Sequence, residues 1–505
     1  MAQPVCLIIA PSNFLLDERV FMSLGLLRIA AVLERRGVPV ELVDLSGVEN
    51  FEEVIRLHAS ASPARFFGIT ATTPQMPAAS KVAAAIRAAR PDAVTILGGP
   101  HVTLVNAAVK QETRRKTPGR AGRALATLHA QFDILIAGDG EESIALALAN
   151  PKPRLIDADD PKSTLFLTSS ALTTLPFPAR HLVDVESYHY TIDGFRALSV
   201  IAQLGCPFEC GFCGGRSSPM LRRIRTRTGE SIVEELVQLH QQYGINGFMF
   251  YDDELNVNPK MVSLMKAIGD AQRKLGVEWR LRGFIKAELF TDEQAAAMHE
   301  AGFRWILVGF ESGSPRILTN INKKANREEN SRCLEIARRN GLKVKALMSV
   351  GHPGESHQTV RETREWLLEA RPDDFDVTLI TTYPGTPYYD EAVPHPTEPD
   401  VWTYTYEKTG DRLHGLEVDY TRVAEYYKGD PDGGYQAYVY TDHLGSKELV
   451  ALRDATERDV RAALGIAFNP GAPAVQFEHS MGQTGSLPSR ILRRSATPSS
   501  NEGFV

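Results

Sequence analysis

Short apolar runs that end in small or polar residues, each followed by an amphipathic helical stretch, recur in two long blocks of this chain. That rhythm constrains the fold more than any other feature. Parallel strands need a helical crossover, so the alternation predicts parallel α/β sheets rather than hairpin-built ones. In the first 150 residues, Val5–Ala10, Val40–Val43, Phe66–Thr70, Val94–Leu97 and Ile134–Ala137 read as strands. Leu24–Arg35 reads as a helix, with Leu26, Leu27, Ala30, Ala31 and Leu33 at helical spacing and Gly37 as its stop. Ala78–Ala89 reads as another, and the basic stretch Arg114–Arg123 as a surface excursion. Ligands of open parallel sheets bind beyond the carboxyl ends of the strands. Here those ends carry Ser12, Thr70 and Thr72, Gly98-Gly99-Pro100-His101, and Gly138 with Glu141. Glycine and threonine are also ordinary βα-loop residues, so this feature alone leaves both readings open.

The rhythm pauses over residues 151–197, rich in Pro, Thr, Ser and Asp, and resumes at Leu198. Strands are expected at Leu198–Ala202, Gly247–Tyr251, Trp279–Gly283, Trp305–Phe310, Val344–Val350 and Asp376–Thr381. Helices are expected at Ser231–Tyr243, Asp292–Ala301 and Asn330–Asn340. About six βα units are too few for a closed eight-fold barrel. The last ~110 residues are less regular, with a helix expected at Lys447–Leu464 and a Pro-, Ser- and Gly-rich tail expected to be disordered.

The first strand of the second block runs into Cys206, Cys210 and Cys213, a C-x3-C-x2-C spacing flanked by Gly205, Gly211, Gly214 and Gly215. Three thiolates are one short of a closed four-cysteine site. A cubane iron–sulfur cluster held this way keeps one iron open. A structural zinc loop is the alternative, but Cys6 and Cys333 lie far off in sequence and no second C-x2-C or H-x3-H completes a zinc site. Polar residues just past strand ends carry function in barrels. Asp252, Asp253 and Glu254 follow one strand, and Glu311 and Ser312 follow another. Helix capping is the plain alternative for Asp252 and for Ser312. The basic run Arg216–Arg227 reads for the most part as a solvated face.

The cysteine run resembles the signature of radical S-adenosylmethionine (SAM) enzymes, and the first block resembles the cobalamin-binding domain found upstream of such barrels. The resemblance implies an α/β protein in three parts. These are a Rossmann-like (flavodoxin-like) cobalamin-binding domain at 1–150 and, after a linker at 151–197, a partial (β/α)6 TIM-barrel radical SAM domain at 198–395. A smaller α+β region at 396–470 and the tail at 471–505 follow. It implies a [4Fe–4S] cluster on Cys206, Cys210 and Cys213. It also implies SAM held near Phe212, Asp252, Asp253, Glu254, Glu311 and Ser312. Cobalamin is implied along Ser12, Thr70, Thr72, Gly98, Gly99, Pro100, His101, Gly138 and Glu141. Gly98-Gly99 matches the Gly-Gly element of that fold, and Thr70–Thr72 stands in place of its Ser-x-Leu element. The Asp-x-His-x-x-Gly element is missing, since Pro11–Glu18 holds no histidine. Any bound cobalt is therefore expected to lack a protein imidazole on its lower face, and His101 is expected to be a packing residue.

The expected function is cleavage of SAM to a 5′-deoxyadenosyl radical, with cobalamin-dependent methylation of an unactivated carbon of a lipid or secondary metabolite. The alternatives are a non-methylating oxidoreductase or cyclase of the same architecture, and a non-catalytic cobalamin- or metal-binding regulator. The implied partners are a small-molecule substrate and an electron donor such as flavodoxin or ferredoxin. A net charge of −6 gives no electrostatic case for nucleic acid. No stretch reaches the ~18 apolar residues of a membrane span, and Met1–Pro11 has no basic leader, so the expected location is cytoplasmic.

Overall fold

The computed structural model describes residues 4–12, 18–116, 119–149, 153–424 and 436–466. The first sheet is parallel and holds β1 (Val5–Ile9), β2 (Val40–Asp44), β3 (Phe66–Thr70), β4 (Val94–Gly98), β5 (Ile134–Gly138) and β6 (Leu155–Ala158) in the order 2-1-3-4-5-6. The first five strands follow the flavodoxin-like order, with the switch point between β1 and β3. Except for the edge strand β2, which carries Glu41 and Asp44, these strands are mostly apolar because helices cover both faces. They are α1 (Leu24–Arg35), α2 (Phe51–Ala61), α3 (Met76–Ala89), α4 (Pro100–Arg115), α5 (Arg120–Gln131) and α6 (Gly140–Leu148).

The sixth strand lies inside the stretch expected to be a linker. Its four residues are too few to show a period, and the Asp-rich flanks disguise it. The expected surface excursion at Arg114–Arg123 is also corrected. Arg114 and Arg115 end α4, and Arg120 to Arg123 begin α5. The Glu112 carboxylate bridges the two helices by accepting from the amides of Ala121 (2.7 Å) and Gly122 (3.0 Å).

After α7 (Ser169–Thr174) the chain builds a second sheet. It contains β7 (Thr191–Ile192), β8 (Phe195–Val200), β11 (Gly247–Phe250), β12 (Arg280–Ile285), β13 (Phe303–Glu311), β14 (Lys343–Val350) and β15 (Asp374–Leu379), each beside its predecessor. All are parallel except β7, a hairpin partner of β8. Six parallel strands are the partial barrel the rhythm predicted. Two two-residue strands, β9 (Gln203–Leu204) and β10 (Arg225–Thr226), bracket the cysteine loop and its short helix α8 (Pro219–Arg222). The outer helices are α9 (Gly229–Tyr243), α10 (Met261–Leu275), α11 (Asp292–Glu300), α12 (Pro315–Asn320), α13 (Arg327–Arg339) and α14 (His357–Ala370). Side chains cap them where the sequence offers a cap: Thr228 for α9, Thr291 with Gln294 for α11, Asn326 with Glu329 for α13.

Past α15 (Pro387–Asp390), an antiparallel sheet of β16 (Val393–Pro394), β17 (Val401–Thr405), β18 (Arg412–Leu416) and β19 (Val439–Thr441) leads to α16 (Ser446–Leu464). The tail expected to be disordered lies outside the described residues. Among the described residues no helix is long and apolar enough to cross a membrane.

Candidate active site

The cysteine loop is held from several sides. Cys206 donates its amide to Leu221 O (3.0 Å) and Gly211 to Ile321 O (2.9 Å). The Arg222 guanidinium donates to the carbonyls of Phe208 and Pro207, both at 2.9 Å. Cys210 is buried and the other two thiols are half-buried. Burial pushes the Cys206 thiol up to about 11 and Cys213 to about 12, so a metal must displace their protons to bind. A single tetrahedral zinc ion would draw its thiolates to about 3.8 Å from one another, given Zn–S bonds of about 2.3 Å. Among the described residues the only trio of donor atoms within 4.8 Å of one another is Cys6, Glu41 and His58. The loop thiols are not drawn together to that spacing.

Facing them are the acids at the strand ends. Asp252 is committed to structure. Its Oδ1 accepts from the amides of Ala202 (3.0 Å) and Gln203, bracing the entry to the loop, and burial lifts its carboxyl to about 8. Asp253 is exposed. Glu254 is half-buried, with its carbonyl held by the Gln203 amide (2.6 Å) and its Oε2 lacking a hydrogen-bond partner. Burial raises it to about 7, against the pull of Lys323 and Lys286.

Glu311 stands at a register shift in β13 with φ at +66°, a left-handed conformation that a non-glycine residue adopts only under local constraint. Its carboxylate accepts from Lys323 Nζ (3.1 Å) and from Ser349 Oγ (2.8 Å). The chain of contacts continues from Ser349 Oγ to His352 Nε2 (2.8 Å) and from His352 Nδ1 to Tyr388 OH (3.2 Å). The His352 ring lies 5.5 Å from Phe212, and burial, reinforced by Lys323, lowers it to about 3, so it is neutral. Ser312 departs from its expected place. Its hydroxyl lies 2.9 Å from Thr363 Oγ1 and accepts the Ser314 amide (3.1 Å), which ties β13 to α14 rather than opening on the site.

Two lysines in this site escaped the sequence reading. Lys286 and Lys323 are both buried. Lys286 pairs with Glu288 (2.9 Å) and stands 4.1 Å from the ring centre of Phe208 in the cysteine loop. Burial alone would lower Lys323, but the charges of Glu311, Cys210 and Glu254 outweigh it and raise its pKa, keeping it cationic. The one available signal was that Lys286 directly follows a strand, as the acids do.

At the edge of the first sheet, Gly99 has φ at +101°, and a Cβ there would meet Thr70 Oγ1 at 2.8 Å and Ala71 O at 2.9 Å. Bare backbone is therefore obligatory beside Gly98. Thr72 is taken up with Gln75, which accepts from both its amide (3.0 Å) and its hydroxyl (2.9 Å). His101 is buried behind the edge, with Nδ1 3.0 Å from Thr73 Oγ1. Gly138 is packed against β6, where a Cβ would lie 2.5 Å from the carbonyl carbon of Ala158. Glu141 is buried against Arg28. The Ser12 amide donates to Glu18 (2.6 Å). Thr70, Gly98, Gly99 and the exposed Pro100 are left lining the edge. His101, Gly138 and Glu141 are packed into the fold, and the exposed Thr72 caps the turn that follows β3.

The two sheets meet at the cysteine loop. One turn into α4, Leu104 packs so closely on the loop that a Cβ on Gly214 would sit 3.1 Å from it. Leu104 O is equally near Gly385 in the Tyr383–Tyr388 turn. The basic run after the cysteines is not a solvated face. Arg225 pairs with buried Asp139 of the first sheet (2.6 Å), and Arg227 pairs with buried Glu235 (2.5 Å). Asp159, just past β6, accepts from Ser218 Oγ (2.8 Å) and the Met220 amide (2.7 Å).

Residues 200–367 match the radical SAM superfamily and residues 18–117 match the B12 binding domain. The chain is 28% identical over 371 residues to an uncharacterized methyltransferase of Pyrococcus horikoshii, a match covering 73% of this chain and 78% of the relative. It is 24% identical over 359 residues to the anaerobic magnesium-protoporphyrin IX monomethyl ester cyclase of Rubrivivax gelatinosus, covering 70% of this chain and 62% of the relative. The fold resembles that of TsrM, a radical S-adenosylmethionine methyltransferase from Kitasatospora setae solved with cobalamin and a [4Fe–4S] cluster. The TM-score is 0.63 at 18% identity, covering 93% of this chain and 92% of that one. The cofactors these domains imply are a [4Fe–4S] cluster, SAM and cobalamin. The donor chemistry fits them: three thiols on one loop, an unpartnered buried carboxylate oxygen beside two lysines, and a sheet edge where Gly98-Gly99 leaves bare backbone.

Proposed function

From the premise that this chain is a radical SAM enzyme carrying a B12-binding domain, we propose that it methylates an unactivated carbon of a small molecule, a lipid or secondary metabolite. When bound, the cluster and SAM supply a 5′-deoxyadenosyl radical and the cobalamin supplies the methyl group. The chain's own residues bind and orient. Cys206, Cys210 and Cys213 would hold the cluster through three thiolates, one fewer than a closed site uses. Glu254 Oε2 accepts from the SAM ammonium, while Lys286 and Lys323 balance negative charge gathered around the open iron. Glu311, fixed by Lys323 and Ser349, takes the ribose hydroxyls. Phe212, backed by His352, shields the loop from water. Thr70 and Gly98-Gly99 take the nucleotide tail of cobalamin along bare backbone. An external one-electron donor of the flavodoxin or ferredoxin type would be needed to supply the electron.

The observation that carries this reading is the Leu104–Gly214 contact, which turns the ligand edge of the first sheet toward the cysteine loop. The likeness to the magnesium-protoporphyrin cyclase favours a second reading, ring formation without methylation, and product mass separates the two by one CH2 unit.

The test is anaerobic purification with added cobalamin, followed by iron, cobalamin and 5′-deoxyadenosine assays. Wild-type protein should hold four irons and one cobalamin per chain. Cys206→Ala, Cys210→Ala and Cys213→Ala should each lose the irons and all deoxyadenosine formation, whereas Cys333→Ala should keep both. Loss of iron in Cys333→Ala would overturn the ligand assignment.

A further inference from the structure

Cys6 takes no part in the site above, yet it is fully buried beside two other metal-binding side chains. β1 and β2 run in parallel register with Cys6 opposite Glu41. The last turn of α2 lays His58 over the pair. His58 Nε2 lies 3.6 Å from Cys6 Sγ and 3.0 Å from Glu41 Oε2. Four-coordinate zinc, with Zn–S of about 2.3 Å and Zn–N and Zn–O of about 2.0–2.1 Å, sets a sulfur–nitrogen edge of about 3.6 Å and a nitrogen–oxygen edge of about 3.3 Å. The two edges that meet at His58 Nε2 are therefore close to zinc spacing, and all three donor atoms lie within 4.8 Å of one another.

Charge and access agree. A thiolate, a carboxylate and a neutral imidazole together carry two negative charges, which a divalent cation cancels, so the loaded site is neutral in its buried setting. Ser62 Oγ donates to Glu41 Oε2 at 2.6 Å and fixes the carboxylate. The side chains of Glu41 and His58 are 26% and 24% exposed, which gives an ion a path in and lets a water take the fourth position. Cys6 sits near the amino end of β1, at the opposite end of the sheet from Thr70 and Gly98. The trio is thus separate from the cofactor edge.

We propose that Cys6, Glu41 and His58 form a zinc site that clamps α2 onto β1 and β2. Binding forms one bond each to sulfur, nitrogen and oxygen and releases the Cys6 thiol proton to solvent, with no change of oxidation state.

The experiment uses the full-length, cluster-reconstituted chain incubated with zinc sulfate and desalted. Metal content and the zinc X-ray absorption fine structure are then measured. One zinc per chain should remain beside the irons, with a single sulfur neighbour at about 2.3 Å. C6S and H58Q should each lower zinc affinity about tenfold or more while iron content stays at the wild-type level. H58Q changes a partly exposed residue at a helix end and keeps the test interpretable if C6S folds poorly. Wild-type protein without retained zinc, zinc held equally by H58Q, or three sulfur neighbours around it (an ion in the cysteine loop) would each overturn the proposal.

Discussion

Lys286 and Lys323 show why residue-level chemistry was only partly legible. The cysteine trio declares itself because three thiols at such spacing have few other uses. Glu311 stands out in the sequence because an apolar run gives way to it, although in the structure it is the last residue of β13. A lysine at a strand end looks like any surface lysine until the fold closes over it, and a serine hydroxyl such as that of Ser312 gives no hint that Thr363 will take it. His101, expected along the cobalamin edge and also expected to pack, is buried in the structure, and that burial has a measurable consequence. Desolvation lowers it to about 4, although Asp419 pulls the other way. The unfolded chain binds the proton near pH 6.5 and the native protein only near 4, so stability falls as pH drops through that window. Between pH 7 and pH 5 this one group contributes a loss of about 2 kcal/mol. His101→Gln should flatten that part of the profile, measured as the difference in unfolding free energy between the two pH values. An unchanged slope would mean His101 is protonated in the native state.

At the scale of elements, strand ends matched the sequence reading within a few residues wherever an apolar run gave way to glycine or a charge. They failed where the pattern is short or polar, as with β6 and the antiparallel sheet from β16 to β19. The basic run after the cysteines misled for a related reason. Arginines that pair with buried acids have the same sequence appearance as a solvated stripe, and the partners, Asp139 and Glu235, lie on other elements. The C-terminal helix shows the same logic. Arg461 on α16 reaches Asp374 (2.8 Å) and Asp376 (3.3 Å) around β15, and Glu457 (2.7 Å) on its own helix. Lys345 on β14 pairs with the same two aspartates. Removing one member of a buried charge network strands the rest, at a cost of about 3–5 kcal/mol. Arg461→Met should lower the unfolding free energy by that amount, measured by denaturant titration, without reducing iron content. A loss under about 1 kcal/mol would mean that Lys345 and Arg453 together hold the remaining acids without it.

At the scale of the whole molecule, function depends on docking one sheet's carboxyl edge against the other's. Leu104 on Gly214 sets the distance, and buried polar pairs set the orientation. Asp139 accepts both Arg225 and the Leu167 amide (2.9 Å), while Arg225 also donates to the carbonyls of Leu167 (3.2 Å) and Met220 (2.9 Å). This latch joins the end of β5, the connector and the return from the cysteine loop, yet it touches no cluster cysteine. Arg225→Met leaves Asp139 buried without its cation, which costs about 3–5 kcal/mol of docking energy. The two units should then part while each keeps its fold. Iron and cobalamin contents should stay at wild-type levels, but limited proteolysis should now cut within residues 159–190 and small-angle scattering should show a larger radius of gyration. Asp139→Asn keeps a hydrogen-bond acceptor and should fall between the two. If Arg225→Met resists protease as the parent does, Leu104 and the other contacts between the units, among them Asp159 with Ser218 and Met220, hold them together, and the arginine only orients them.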